Sequence, residues 1–425
     1  MDRGSLNALP FDEASALISA HAAQLSRVLP ESERVGLEKA IDRVLAQPIF
    51  ADSDQPSFAR SARDGYACRA VEASRNTPLA IVGATRAGQA PGGLLPANSA
   101  WEIMTGAAVP AGADAVIMVE HVEIANGPAG QAVRLVAPRT VHLGENVILQ
   151  AAHAHKGDVL LAAGSVIGPA QIALAATCGH AEIDVFIRPR VAILATGDEI
   201  VPIDATLQPG QIRNSNGPML AALVATAGGD PWILPAAADT AQALETALTQ
   251  AADADLLLIS GGVSAGKFDL VEPALARAGA HFHFTGLRIQ PGKPTVFAEL
   301  PRRSTNLVQD KNGTKCCFGL PGNPVSTAVT FLLFAAPILA ALAGRRQYGP
   351  RFALAELSTP IKAKPGLTRF LPATCSFAGP VPQVTLVRWQ GSGDIGAMAL
   401  ANCYLVVPND IQKLDTGEIV RILLP

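Results

Sequence analysis

The chain has 425 residues, 16% charged and 49% hydrophobic, with a formal net charge of −3. At roughly 100–200 residues per domain, this predicts two to four domains with ample apolar material for their cores. The near-neutral balance offers no electrostatic footprint for nucleic acid or an acidic membrane surface, so neither partner is expected.

Met1 to Pro10 lacks a basic stretch followed by an apolar run, so no signal peptide is expected and the location is read as cytoplasmic. Phe11 to Leu29 reads as a helix, with Asp12 as N-cap and Leu17, Ile18, His21, Leu25 and Val28 at helical spacing. Val35 to Ala46 reads as a second amphipathic helix. Pro48, Pro56 and Asp52-Ser53-Asp54 then mark an exit from the first domain. Residues 55 to 140 are β-prone, with short runs at Leu79 to Val82, Trp101 to Met104, Ala115 to Val119 and Val133 to Val136. Asp158 to Ile167 reads as a hairpin. An Ala-rich helix, Pro169 to Cys178, follows, with Pro near its start and Gly179 just past its end.

From about 184 the pattern changes. Arg190 to Ala195 (RVAILA) and Asp255 to Ser260 (DLLLIS) are continuous apolar runs, as in strands buried on both faces. Helical stretches at Pro218 to Gly228 and Thr240 to Ala252 alternate with them and with a strand at Trp232 to Pro235. Strand–helix alternation predicts a parallel, doubly wound sheet, with ligands beyond the carboxyl ends of its strands. Phe331 to Gly344 is the most apolar segment. It is too short to cross a bilayer and carries Pro337, so it reads as a buried helix. Phe352 to Leu357, Gln383 to Trp389, Cys403 to Val407 and Ile419 to Leu424 read as a terminal set of strands. Six cysteines, including adjacent Cys316 and Cys317, form no C-x-x-C pair and read as buried structural thiols.

Four turns follow strands of the α/β unit: Thr196-Gly197-Asp198-Glu199, Ser260-Gly261-Gly262-Val263-Ser264, Pro291-Gly292-Lys293-Pro294 and Gly319-Leu320-Pro321-Gly322-Asn323-Pro324. Glycine lets backbone amides approach a ligand, and amides at turns and helix starts suit anions. Lys293 adds a point charge for phosphate. The pattern is neither a P-loop nor a G-x-G-x-x-G fingerprint. Glu199 and Asp269 are candidate Mg²⁺ ligands beside a phosphate site. Asp64 and Thr105 lie in compact polar turns of the β-rich region, read as either tight turns or functional groups.

Together the motifs SARDGYA, MTGA, ATGDEI, GQIRNSN, SGGVSAG, PGKP, GLPGNPVS and WQGSG, in this order along nearly the whole chain, resemble the MoeA/gephyrin-E family of molybdopterin molybdenumtransferases. The resemblance implies an α/β multi-domain fold. An N-terminal domain is assembled from two segments (1–52 and 138–182) around an inserted β-rich domain (53–137). A MogA-like doubly wound α/β domain (183–346) and a C-terminal β-barrel (347–425) follow. It implies a homodimer whose cleft lies between subunits, and insertion of molybdate into adenylylated molybdopterin with release of AMP and with Mg²⁺. Carried over motif by motif, Asp64, Thr105, Glu199, Asp269 and Lys293 become catalytic candidates, with Asp269 and Glu199 on the metal. Thr196, Gly197, Asn214, Ser260, Gly261, Gly262, Ser264, Pro294, Gly322, Asn323, Ser326 and Ser392 become binding candidates.

Several positions depart from the family pattern. Ile148 to Ala154 (ILQAAHA) lacks the usual charged stretch. Asn214 stands where Asp is usual, Gln290 where Lys is usual, and Leu367 and Pro372 where two arginines are usual. Side chains two apart on a strand share a face, so Arg288 and Arg369 read either as replacements for the cations lost at Gln290 and Leu367 or as solvated surface charges. These losses of charge leave an alternative open: a catalytically impaired paralogue that binds, stores or delivers the cofactor.

Overall fold

The computed structural model describes residues 8–90, 93–127, 130–263, 270–302 and 313–425. At its centre is a six-stranded sheet in the order Asp230–Ile233, Arg190–Ala195, Leu256–Ser260, Thr314–Leu320, Val296–Pro301, His281–Phe284. The first four strands are parallel, as the apolar runs predict. Val296–Pro301 runs antiparallel to both of its neighbours. No helix lies between Phe284 and Val296, and without a crossover the chain returns antiparallel.

The continuous apolar runs arise because both faces of this sheet are covered. Val191, Ile193, Leu256, Leu258, Cys316 and Phe318 point into one core; Ala192, Leu194, Leu257, Ile259 and Cys317 point into the other. The first core is closed by helices Phe11–Leu25, Asn216–Thr226 and the run from Pro324, the second by Ala241–Gln250 and Val271–Arg277. All six cysteines are free and buried. Burial pushes the Cys317 thiol up to about 12 and Cys316 further still, so both act as apolar filler.

Four local readings change in the structure. The first helix ends at Leu25 rather than Leu29, because Arg27 and Val28 turn back onto Gln24 and Leu25 and Pro30 follows. Its N-cap is Pro10, and Asp12 lies in the first turn instead. Val35 to Ala46 is not a helix: Ser32–Gly36 pairs antiparallel with Glu182–Phe186, leaving only a short 3-10 turn at Leu37–Lys39. The stretch from Asp158 to Ile167 is not a hairpin either. Val159–Leu161 pairs with Ile49–Phe50, and Val166 bridges Val44. In both cases pairing between distant segments outweighs local preference. Finally, the apolar segment at 331 belongs to a continuous 19-residue helix, Pro324–Leu342, long enough to cross a membrane, with 83% of it buried inside the fold. A π-turn at Phe331–Ala335 lets it pass Pro337.

Elsewhere, residues 40–49 and 167–185 share one small core, so two distant segments build one unit. The β-rich region holds a six-stranded sheet in the order Ala115–Met118, Gly65–Cys68, Ser99–Ile103, Leu79–Thr85, Gly130–Leu135, Val122–Gly127. At the C-terminus, Arg351–Leu357, Gln383–Leu386, Thr368–Ser376, Cys403–Val407 and Ile419–Leu424 close on themselves as a five-stranded barrel. The short strand Ile289–Gln290 pairs in parallel with Thr368-Arg369 and ties this barrel to the α/β unit.

Candidate active site

The carboxyl ends of the parallel strands carry the turns at 196, 260 and 319. The antiparallel register Val296↔Gly319 brings the PGKP turn to that same edge. Three of the four turns touch. Gly261 lies against Thr196, and Gly322 lies against Gly261. A Cβ on Gly261 would stand 2.7 Å from the Thr196 carbonyl oxygen, and its φ is +97°, so glycine is required there twice over. In the PGKP turn, Gly292 (φ +115°) packs so tightly on the helix that a Cβ would meet Thr330 at 2.5 Å. Thr295 donates to the Gly292 carbonyl at 2.6 Å and closes that turn.

The amides divide into two groups. Thr196, Gly197 and Gly261 donate to Ser260, Ala237 and Leu320 and so extend the sheet. Those of Gly262, Gly322 and Asn323 have no protein acceptor among the described residues. They are the donors left for an anion.

Asn216, at the start of the Asn216–Thr226 helix, is the residue that sequence reasoning passed over. Its Nδ2 donates to Ser260 Oγ at 2.8 Å and to the Gly322 carbonyl at 2.7 Å. Among the described residues its Oδ1 is buried without a partner, as is Thr196 Oγ1. A buried polar atom without a partner is costly unless something else pairs with it. The only hint in the sequence was the second Asn of GQIRNSN.

Asn214, just before the N-cap Ser215, accepts from the Gly217 amide at 2.9 Å and so holds the helix start, a role that needs an oxygen but no charge. Glu199 is exposed, and its carboxylate lies over Gly197. Lys293 is exposed and Pro294 half-buried. Ser326 is buried in the first turn of the helix from Pro324. Ser392 comes from the loop before Ile395–Leu400, and its hydroxyl accepts from Asn323 Nδ2 at 2.9 Å. Its carbonyl accepts from the Val325 amide at 3.1 Å, so the C-terminal domain is docked onto the GNP turn. Ser264 and Asp269 lie outside the described residues.

The arginines pair otherwise than the same-face argument predicts. Arg369 donates from Nε to Gln290 Oε1 at 3.0 Å, whereas Arg288 reaches the Gly366 carbonyl at 3.3 Å. The Ile289–Gln290 pairing sets Gln290 opposite Arg369 and not beside Arg288.

Asp64 and Thr105 meet because Gly65 pairs with Ile103. Asp64 Oδ1 accepts from the Thr105 amide at 2.6 Å and from its hydroxyl at 2.7 Å. These bonds, the amide's first, hold the Asp64 carboxyl below the usual range. Among the described residues, no hydrogen bond or strand pairing joins this pair to the turns at 196, 261, 292 and 322.

Known proteins match throughout the chain. Residues 9–179 match the family model "MoeA N-terminal region (domain I and II)", 192–341 match "Probable molybdopterin binding domain" and 355–424 match "MoeA C-terminal region (domain IV)". A molybdopterin molybdenumtransferase of Nostoc sp. is 37% identical over 74% of this chain and 70% of its own length. One from Bacillus subtilis is 32% identical over 98% of this chain and 94% of its own. The crystal structure of the molybdopterin biosynthesis moeA protein from Pyrococcus horikoshii superposes with a TM-score of 0.78 at 27% identity, covering 99% of this chain and all of that one.

Proposed function

Because this chain belongs to the MoeA family of molybdopterin molybdenumtransferases, we propose that the turns at the carboxyl edge of its α/β sheet insert molybdate into adenylylated molybdopterin and release AMP. The protein is a transferase of molybdenum cofactor biosynthesis. Neither the fold nor the relatives favour a paralogue that only binds the cofactor.

The observation that carries the site is the convergence of three turns on two buried, unpartnered oxygens, Thr196 Oγ1 and Asn216 Oδ1. The free amides of Gly262, Gly322 and Asn323 and the charge of Lys293 suit the substrate's pyrophosphate. Glu199, Thr196 and Asn216 offer hard oxygen donors, and so would Asp269, which fits Mg²⁺. Bound there, the ion would supply positive charge to the pyrophosphate and to the departing AMP. Thr196, Gly197, Ser260 and Gly261 shape the floor, and Asn214 holds the helix that presents Asn216. Pro294, Ser326 and Ser392 form the molybdate side, with Ser392 oriented by Asn323. The two dithiolene sulfurs replace one oxygen of molybdate, which leaves as water; a water molecule attacks the adenylyl phosphorus, the phosphoanhydride bond breaks, and AMP departs while the pterin keeps its own phosphate. The dithiolene sulfurs belong to the substrate, so the buried cysteines have no part to play.

Among the described residues Asp64 and Thr105 share no bond with these turns, and a homodimer in which a second copy brings the pair to the cleft would unite them. Light scattering should then give twice the chain mass. Free buried thiols suit a reducing compartment, in support of a cytoplasmic location.

The test follows AMP release from adenylylated molybdopterin with molybdate and Mg²⁺. Wild-type protein should turn over, and Asn216→Ala should be slower by about 100-fold, the scale of losing one oriented polar group in such a site. Binding by wild-type protein without AMP release would reject this reading.

A further inference from the structure

At the opposite edge of the same sheet, beside the amino ends of the parallel strands, lies a cavity of about 570 Å³. Its wall carries His21, His283 and Glu299, none of which takes part in the chemistry above. We propose that these three side chains form a binding site for one divalent first-row transition-metal ion of zinc type, with a coordination position open to the cavity.

Strand register and helix spacing bring the three side chains together. Glu299 lies two residues from Phe297 on Val296–Pro301, so it shares that residue's face, the one covered by the first helix. His281 pairs with Glu299, and His283, unpaired where the register shifts between Phe282 and Phe284, turns its ring to the same face and stacks on Phe297. His21 reaches down from Phe11–Leu25, a residue placed by helical spacing beside Leu17, Ile18 and Leu25. Three different regular elements therefore deliver one ligand each.

The distances suit an ion. Glu299 Oε1 lies 3.4 Å from His21 Nε2, and Oε2 lies 3.1 Å from His283 Nε2. All three ligand atoms fall within 4.8 Å of one another. Bonds of about 2.0–2.1 Å from a tetrahedral zinc ion place its ligands about 3.4 Å apart, so little movement is needed. Two imidazoles and one carboxylate are a donor set that zinc and its first-row neighbours take up, and Mg²⁺ does not favour nitrogen.

The surroundings hold the ligands in place. His283 stacks on Phe297 at 4.8 Å between centroids, and His21 meets the same ring edge-on at 5.1 Å. Thr314 Oγ1 donates to Glu299 Oε1 at 3.1 Å, the kind of outer contact that orients a ligating carboxylate. The three side chains are 12%, 18% and 23% exposed, which shields the ion yet leaves it access from the cavity. Bound there, the ion would pin the first helix to the two antiparallel-paired strands, far in the fold from the turns that face substrate.

The test uses full-length protein stripped with a chelator, titrated with Zn²⁺ by calorimetry and with Co²⁺ by visible absorption. The expected result is one ion per chain at micromolar Kd or tighter, the intense visible bands of tetrahedral Co²⁺, and a melting temperature raised by Zn²⁺. His283→Gln and Glu299→Gln should each weaken Zn²⁺ binding by at least about 100-fold. Should either variant fail to fold, His21→Asn, on the helix rather than the sheet, serves in its place. X-ray absorption of the wild-type zinc complex should show two imidazoles. Absence of a tightly bound ion, binding unchanged in the folded variants, or a zinc shell without imidazole would overturn the proposal. AMP release is not a readout of this experiment, so its failure is separate from failure of the transferase reading.

Discussion

At the carboxyl ends of the parallel strands the sheet presents backbone: glycine turns, unpaired amides and two buried oxygens. At the amino ends it presents side chains: two histidines, a glutamate, Arg302 paired with Asp255 at 3.1 Å, and buried Lys315. The first edge depends on conformations that only glycine tolerates, so single residues there are irreplaceable. The second depends on side chains from several regular elements, so removing one should alter charge or ligation and leave the backbone intact. One sheet thus carries two kinds of polar site, separated by its own strand length.

The sharpest way to break this contrast is Gly261→Val. The new side chain meets the Thr196 carbonyl at a positive φ, and strain with overpacking should cost about 4 kcal/mol in urea unfolding. AMP release should vanish. A Gly261→Val protein of wild-type stability would mean that the turn is looser than it looks.

A smaller effect is expected at the other edge from Lys315→Met. Lys315 is 6% exposed, and burial pulls its ammonium down to about 8. Its two carbonyl partners, Ala251 and Ala252, hold it in place. The folded pKa is below the unfolded value, so the unfolded chain binds more protons between about pH 8 and 10.5. The Lys315 contribution to stability should therefore rise with pH across that window, by at most about 3 kcal/mol, against the opposite trend set by the raised, buried thiols. Lys315→Met should lack this rise. An equal change in unfolding free energy between pH 8 and pH 10 for wild type and Lys315→Met would show that the ammonium is not penalised by burial.

The smallest effect is expected from Asn323→Ala, which removes the bond to Ser392 and so loosens the C-terminal domain from the GNP turn. Loss of one exposed hydrogen bond should cost about 1 kcal/mol or less. Its signature should be faster amide exchange at Val325, whose N–H donates to the Ser392 carbonyl. Unchanged exchange would place the docking of the two domains elsewhere.

Legibility in the sequence follows the same divide. The glycine turns were readable because each is a contiguous string, and the reason for glycine lies within a few residues. RVAILA and DLLLIS were readable as doubly covered strands because their two cores draw on alternate residues of one run. Asn216 was missed because its partners, Ser260 and Gly322, stand 44 and 106 residues away. His21 read only as one position of a helical face, and nothing local joined it to His283 or Glu299. Val35 to Ala46 and the segment after Asp158 misled for a related reason: their pairing partners lie in the other half of a split unit.

By itself, then, the amino-acid order determined the α/β core, the order of the glycine turns and the family, because these depend on short-range periodicity and on residues with unusual backbone freedom. Tertiary structure alone decided which core the first helix covers, how Arg369 rather than Arg288 meets Gln290, and that two histidines and a glutamate share one cavity wall. Those contacts are set by strand register and helix packing across long chain separations, and no local pattern records them.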